Sequence, residues 1–344
     1  MKESTYSLLC VFLLGFAQLC MFIGFDYANF LAESVFRSLH DRDPVNIDEH
    51  ARKAFWRAIS NVFCTIANLI APLSLRYMKS KWVMTFASIF YTLYSACFIT
   101  LNPYIYYVCS ALQGVMFAVL NIGYNCYLTE ISTRENLERN SALAWSIGSM
   151  STMSGGIIYS AVFLLDPSKD TSTDAAYRNY SDLEIRLFFG IFGIMGVLSN
   201  VLYVCLPTKG VNGGFAKPGE KSAAGTPSLS EIKDELKNMI CAFWDPRILQ
   251  ICPHLFYVGL NVSTYLAIFP TAIQFTSAFA SIPLLTAYYG FVFSIGNLIA
   301  GCLISVVSRR VVNFGLKPLV SVVVILQVSS FGQFKDHDTN LASR

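Results

Sequence analysis

The segment from residue 82 to residue 129 reads WVMTFASIFYTLYSACFITLNPYIYYVCSALQGVMFAVLNIGYNCYLT, which is 48 consecutive residues without Lys, Arg, Asp or Glu. A helix needs about 20 apolar residues to cross the roughly 30 Å of hydrocarbon in a bilayer. A run more than twice that long must therefore cross and return. Asn102 and Pro103 lie near its middle, where their preference for turns allows the chain to reverse. The segment predicts two antiparallel membrane-spanning helices.

The same absence of charge extends outward from this segment in both directions. Residues 248–308 form a second run, of 61 residues, without Lys, Arg, Asp or Glu, and Pro283 interrupts it. Shorter uncharged runs precede and separate these two. We predict about nine spans in all, at residues 5–25, 55–75, 82–101, 104–128, 141–165, 187–206, 248–270, 284–307 and 311–331.

The composition indicates a membrane protein of the all-α class. Of the 344 residues, 54% are apolar and 14% are charged, and the mean hydropathy is +0.49. A soluble domain carries about 25% charged residues. The net charge of +3 provides no basic patch for nucleic acid. We therefore predict a polytopic protein embedded in membrane lipid, and we exclude a soluble enzyme.

Positive charge is distributed unequally between alternate loops. With the N-terminus placed in the cytoplasm, the inner segments hold 14 Lys and Arg residues and the outer loops hold seven. Cytoplasmic loops of membrane proteins are enriched in these residues. We therefore predict a cytoplasmic N-terminus, in either the plasma membrane or an endomembrane.

The spans divide the chain into four segments. Residues 1–206 are predicted to form a bundle of six transmembrane helices, and residues 207–247 a cytoplasmic linker that contains an amphipathic helix. Residues 248–331 are predicted to form a partial second bundle, and residues 332–344 a polar tail. Two groups of spans joined by a long inner loop are typical of transporter folds.

Polar side chains recur at helical spacing inside four of the spans. A polar residue that faces lipid is costly, so these stripes should face other helices or water. Hydrogen bonds between helices and a central polar cavity are the two alternative explanations, and the presence of four stripes favours the cavity. Its candidate residues are Arg57, Asn61, Asn121, Asn125, His254 and Asn261.

Acidic residues avoid the interiors of the predicted spans. Asp26 lies at the outer end of the first span, and Arg57 lies near the outer end of the second. An ion pair between them would offset part of the cost of seating Arg57 in a span. Separate solvation of the two charges at the interface is the alternative. Because His254 is the one other titratable candidate within a span, proton coupling is poorly supported.

The fifth predicted span, residues 141–165, carries a ridge of small residues, and we call it span five. Gly148, Thr152, Gly156 and Ser160 recur every four residues. Small side chains on one helix face allow a neighbouring backbone to approach closely. The ridge therefore predicts helix packing.

Cysteine and the other chemically reactive residues show no catalytic or metal-binding pattern in the sequence. Nine of the ten cysteines lie in apolar runs, as expected for buried thiols acting as small apolar groups and not for a disulfide scaffold. The sequence lacks a metal-type spacing of His and Cys, a phosphate-binding glycine loop and a Ser/His/Asp grouping. We predict neither enzymatic activity nor a cofactor.

Three parts of the chain resemble known proteins. The first is GFAQLCM at 15–21 followed by GFD at 24–26. The second is YLTE at 127–130 followed by RNSALAW at 139–145, and the third is DPRIL at 245–249. These stretches resemble nematode members of the unc-ninety-three-like family of ion channel regulatory proteins.

The resemblance implies both a fold and a function. That family is similar in fold to the major facilitator superfamily, which has twelve spans in two bundles of six. We therefore expect a facilitator-like six-helix bundle followed by an incomplete second bundle. The resemblance further implies regulation of another membrane protein, such as a two-pore potassium channel. A facilitator-type transporter of a small, anionic solute is the alternative.

Asn179-Tyr180-Ser181 matches the N-glycosylation pattern and lies in the predicted outer loop 166–186. We predict that an endoglycosidase increases the gel mobility of the protein made in eukaryotic cells, and that Asn179→Gln abolishes this change. Asn261-Val262-Ser263 has the same pattern inside a predicted span, so Asn261→Gln is the matched control and should keep its glycan. A wild-type protein of unchanged mobility would contradict the outer placement of this loop.

Overall fold

The protein is built of α-helices in the computed structural model, which describes residues 3–42, 55–100, 103–165, 180–210, 229–242, 244–276, 284–308 and positions 282, 310, 311 and 321. The helices are α1 (Glu3–Arg42), α2 (Phe55–Ile70), α3 (Ser80–Thr100), α4 (Pro103–Ile131), α5 (Leu137–Ser149), α6 (Ser151–Leu165), α7 (Asp182–Cys205), α8 (Leu229–Ala242), α9 (Pro246–Ser263), α10 (Phe269–Phe275) and α11 (Leu285–Val307). A short turn and helix extend α2 to Tyr77, and the π-helical segment Thr264–Ile268 joins α9 to α10.

Seven stretches of the described chain are long and apolar enough to cross a bilayer. They are Glu3–Leu31, Ala58–Tyr77, Tyr104–Ile131, Leu137–Leu164, Asp182–Cys205, Pro246–Ile273 and Leu285–Val307. The 21-residue helix α3 coincides with predicted span 82–101 and packs between α4 and α7. The prediction of an all-α polytopic membrane protein is confirmed. Predicted span 311–331 and tail 332–344 lie almost entirely outside the described residues.

Helix α1 is the central element of the packing. It contacts α7 along one side and α5 and α6 along another, and it also touches α3. Its Leu14, Tyr27 and Leu31 side chains are completely enclosed. The predicted first span, residues 5–25, lies within this helix, which continues to Arg42. Buried apolar residues beyond position 25 keep α1 within the bundle and extend the span to Leu31.

The small-residue ridge of span five packs as predicted. A Cβ atom added to Gly290 of α11 would lie 2.7 Å from the carbonyl oxygen of Thr152, and one added to Gly156 would lie 3.3 Å from that of Ala287. At the start of the ridge, Gly148 lies against the side chain of Gln18 on α1. The ridge thus brings α11 within backbone contact of span five and receives a side chain of α1, which is how helices associate in lipid.

A disulfide joins α3 to α4. Cys97 and Cys109 are bonded to each other, so the expectation that all nine membrane cysteines are free thiols is wrong. Linear spacing could not reveal the pair, because it forms only when the two helices return antiparallel. Of the remaining thiols of the predicted spans, Cys205 and Cys302 are exposed and are not packed in the core of the described bundle.

We predict that Gly290→Ala destabilises the protein and that Gly296→Ala, on the same helix, does not. The added methyl group at 290 meets the Thr152 backbone, whereas the space around Gly296 is open. Overpacking of this kind costs about 1–3 kcal/mol, while alanine at an open helical position gains up to about 1 kcal/mol over glycine. Thermal unfolding of both variants in the same detergent measures the difference. Equal melting temperatures for the two variants would show that α11 is not held against span five.

Candidate functional site

Asp26 lies inside a membrane span and is hydrogen bonded to span five. Its Oδ2 atom accepts a hydrogen bond of 2.6 Å from the hydroxyl of Ser151. Ser151 is buried and is the first residue of α6, near the middle of the span Leu137–Leu164. The expectation that Asp26 only borders the membrane is therefore wrong. This contact could not be predicted from the sequence, because it depends on the depth at which α1 crosses span five.

Span five is interrupted where Asp26 meets it. Helix α5 ends at Ser149, Met150 forms a turn, and α6 begins at the next residue. The hydroxyl of Ser294 on α11 donates to the Ser149 carbonyl oxygen at 2.8 Å and accepts from the Met153 N–H at 2.9 Å. It also lies 2.5 Å from the hydroxyl of Thr152. A side chain of α11 therefore satisfies the backbone groups that the interruption leaves open.

Polar contacts continue from Asp26 along span five. Ser151 is followed by Thr152, whose hydroxyl lies 2.5 Å from that of Ser294 on α11. We call these four residues the midspan polar layer: Asp26, Ser151, Thr152 and Ser294. The layer links α1, α6 and α11. A separate pair joins α2 to α4, because Gln113 accepts a hydrogen bond of 2.7 Å from the Ser60 hydroxyl. The buried Tyr91 hydroxyl of α3 has no hydrogen-bond partner among the described residues.

Two of the predicted cavity residues use their amides within their own helices. Asn121 donates to the carbonyl oxygen of Phe117 at 2.9 Å, and Asn261 donates to that of Tyr257 at 3.2 Å. Both bonds run to the residue four positions earlier, which satisfies the amide without a partner helix. This geometry is typical of polar residues that are tolerated in a span.

The other predicted site residues are more dispersed. Asn61 on α2 and Asn125 on α4 are exposed, and His254 on α9 is half-buried. The side chain of Arg57 and the glycosylation candidate Asn179 lie outside the described residues. The Asp26–Arg57 ion pair and the shared cavity therefore stay predictions.

A second polar cluster, near the N-terminal ends of α1 and α5, was not predicted from the sequence. Asn140 is completely buried and donates to the hydroxyls of Ser7, at 3.1 Å, and Ser132, at 2.9 Å. Its Oδ1 atom accepts two hydrogen bonds from the guanidinium of Arg139, and Ser7 donates to the Ile131 carbonyl. We call this the N-terminal polar junction. Asn140 belongs to the RNSALAW stretch, which was the one available signal.

The described residues contain no group of three or more His, Cys, Asp or Glu side chains placed to hold a metal ion. The carboxylates of Asp26 and Glu130, for example, lie in different parts of the bundle, and each accepts a hydrogen bond from a serine. The polar side chains of both clusters serve helix association and backbone satisfaction. The chemistry available here is hydrogen bonding and charge stabilisation.

We predict that reversing Asp26 or Arg57 alone destabilises the protein and that reversing both restores it. Asp26→Arg and Arg57→Asp each leave two like charges in a span, which is costly, whereas the double reversal keeps one of each sign. Ser151→Ala is the comparison variant and should cost only about 1 kcal/mol, as for one interhelical hydrogen bond. Monodisperse yield and melting temperature in detergent report the outcome. A double variant no better than the worse single one rules out the pair.

Known proteins match this chain over nearly all its length. The sequence profile of the family described as "Ion channel regulatory protein UNC-93" matches residues 45–332. "UNC93-like protein MFSD11" of Xenopus laevis is 23% identical over an alignment that covers 100% of this chain and 76% of the relative. The protein of the same name from Xenopus tropicalis is 22% identical with the same coverage. The resemblance seen in the sequence is confirmed, and the chain belongs to the UNC-93 family.

Proposed function

We propose that this protein is a non-transporting, facilitator-shaped regulator that binds another membrane protein. The observation that carries the proposal is membership of a family described as ion channel regulatory proteins. A two-pore potassium channel is the partner class that the resemblance implies. Regulation through binding requires a stable membrane surface and no chemical step, and it therefore fits a bundle with neither a metal-type cluster in its described part nor a catalytic grouping in its sequence.

The use of polar groups inside the spans supports a regulator over a carrier. A solute pathway needs polar side chains that can exchange their partners for the solute. Asn121 and Asn261 instead bond within their own helices, and Gln113 accepts from Ser60 on a neighbouring helix. The amides of Asn121 and Asn261 are therefore already bonded within their own helices, and Gln113 contributes to the packing of α2 on α4.

Helix α2 presents the surface best suited to a partner helix. Its buried face, which includes Ala67, packs on α4, α8 also touches it, and most of its other described side chains are exposed. Asn61 and Asn68 are exposed on one side, and Val62 and Ile66 are exposed on the other. A polar stripe at this depth is stable only against protein or water. We propose that a helix of the partner covers the polar side, while lipid covers the apolar side.

Co-expression with a panel of two-pore potassium channels tests the proposal. We expect this protein to co-purify with at least one channel and to change its current or its density at the cell surface. The variant Asn61→Leu/Asn68→Leu should weaken co-purification, because it removes the polar stripe. Val62→Leu/Ile66→Leu alters the same helix on its apolar side and should have no effect.

Absence of physical association with every channel tested would contradict the regulator. The alternative carrier would use Arg57, Asn61, Asn121, Asn125, His254 and Asn261 to line its cavity, with Arg57 favouring an anion. The exposed amides of Asn61 and Asn125 are the observation in its favour. Saturable anion uptake by liposomes containing the purified protein, abolished by Asn125→Leu, would select the carrier.

A further inference from the structure

The hydroxyl of Ser294 occupies the position of a backbone hydrogen bond in span five. Ser149 and Met153 are four residues apart, which is the spacing at which a helical N–H donates to a carbonyl. Here the Ser149 carbonyl accepts from Ser294 instead, and the Met153 N–H donates to the same Ser294 oxygen. One side chain from α11 therefore bridges a bond that an uninterrupted helix would make by itself.

Insertion of a side chain into the backbone hydrogen-bond ladder is an established cause of helix kinks. Ser294 and Thr152 are both buried, and their hydroxyls lie 2.5 Å apart. Thr152 also lies 3.3 Å from the Gly290 carbonyl, so the contact is anchored one turn away along α11. The interruption of span five thus depends on a group that belongs to a different span.

The second half of span five is held from the opposite side by α1. Ser151, the first residue of α6, donates to Asp26. A negative charge at the N-terminus of a helix is stabilised by the helix dipole and by the unpaired N–H groups there. Two helices therefore act on the same point: α11 through the Ser294 hydroxyl and α1 through the Asp26 carboxylate.

We propose that span five is a two-position switch whose state is set by Ser294. With Ser294 inserted, the span is interrupted at Met150 and α6 is aimed separately from α5. When α11 moves away, the Met153 N–H and the Ser149 carbonyl bond to each other, and the span becomes one continuous helix. Both states satisfy the same two backbone groups, as the hydrocarbon requires, so neither is strongly disfavoured. This switch is independent of whether the protein regulates a channel or carries a solute.

The position of the outer end of α6 reports the state of the switch. The 15 residues of α6 span about 22 Å, so removing a kink of about 20° moves their far end by about 8 Å. Leu164 near that end and Ile194 on α7 are both exposed. Encoded keto amino acids at these two positions accept spin labels without removal of the native cysteines. Pulsed electron paramagnetic resonance in lipid nanodiscs then measures the distance between the labels.

We expect Ser294→Ala to change this distance by several ångströms, on the order of the 8 Å expected for straightening. Ser305→Ala removes a different serine hydroxyl, about three turns further along α11, and should leave the distance unchanged. Adding Met153→Pro to Ser294→Ala should restore the wild-type distance, because proline has no N–H with which to close the bond.

An unchanged distance in Ser294→Ala overturns the proposal, since the interruption would then be intrinsic to span five. So does a changed distance that Met153→Pro does not reverse. If Ser294→Ala does not yield folded protein, the double variant decides: folded protein with the wild-type distance supports the switch, and continued failure to fold contradicts it.

Discussion

Two apolar helices gain little by leaving lipid for each other, because lipid tails are as apolar as the side chains they would replace. Association of the spans therefore depends on contacts that lipid cannot make, namely backbone approach at small residues and hydrogen bonds between helices. Span five shows both. Gly156 and Gly290 allow α6 and α11 to approach to backbone contact, and this approach is what places Ser294 within reach of the Ser149 carbonyl. Without the small residues, the polar contact could not form.

Polar contacts hold the bundle at two depths. Near the N-terminal ends of α1 and α5, Asn140 satisfies both of its amide donors on Ser7 and Ser132 and so ties α5 to α1 and to the segment after α4. In the midspan polar layer, Asp26 and Ser151 tie α1 to α6. Between these depths the contacts of α1 are largely apolar. The two depths fix both the rotation and the vertical position of α1, which apolar packing alone leaves free to slide.

The packing role of the small residues in span five was predicted correctly, because it depends on their spacing along one helix. The ridge at Gly148, Thr152 and Gly156 was assigned to packing, and the structure places it against α1 and α11. Ser294 belongs to the polar stripe of predicted span 284–307, for which hydrogen bonds between helices and a cavity were the two alternatives, and the structure buries it against span five. Spacing identifies which residues share a helix face. It does not identify the neighbour that this face meets.

The sequence alone was enough to predict a membrane environment, the all-α class and the approximate positions of the spans that fall within the described residues. Each of these depends on composition and period within about 20 residues. The disulfide between Cys97 and Cys109, the hydrogen bond from Ser151 to Asp26 and the insertion of Ser294 were decided only by the tertiary structure. These pairings depend on the depth, rotation and crossing of one helix relative to another. Packing across the whole bundle sets those quantities, and no local pattern in the chain encodes them.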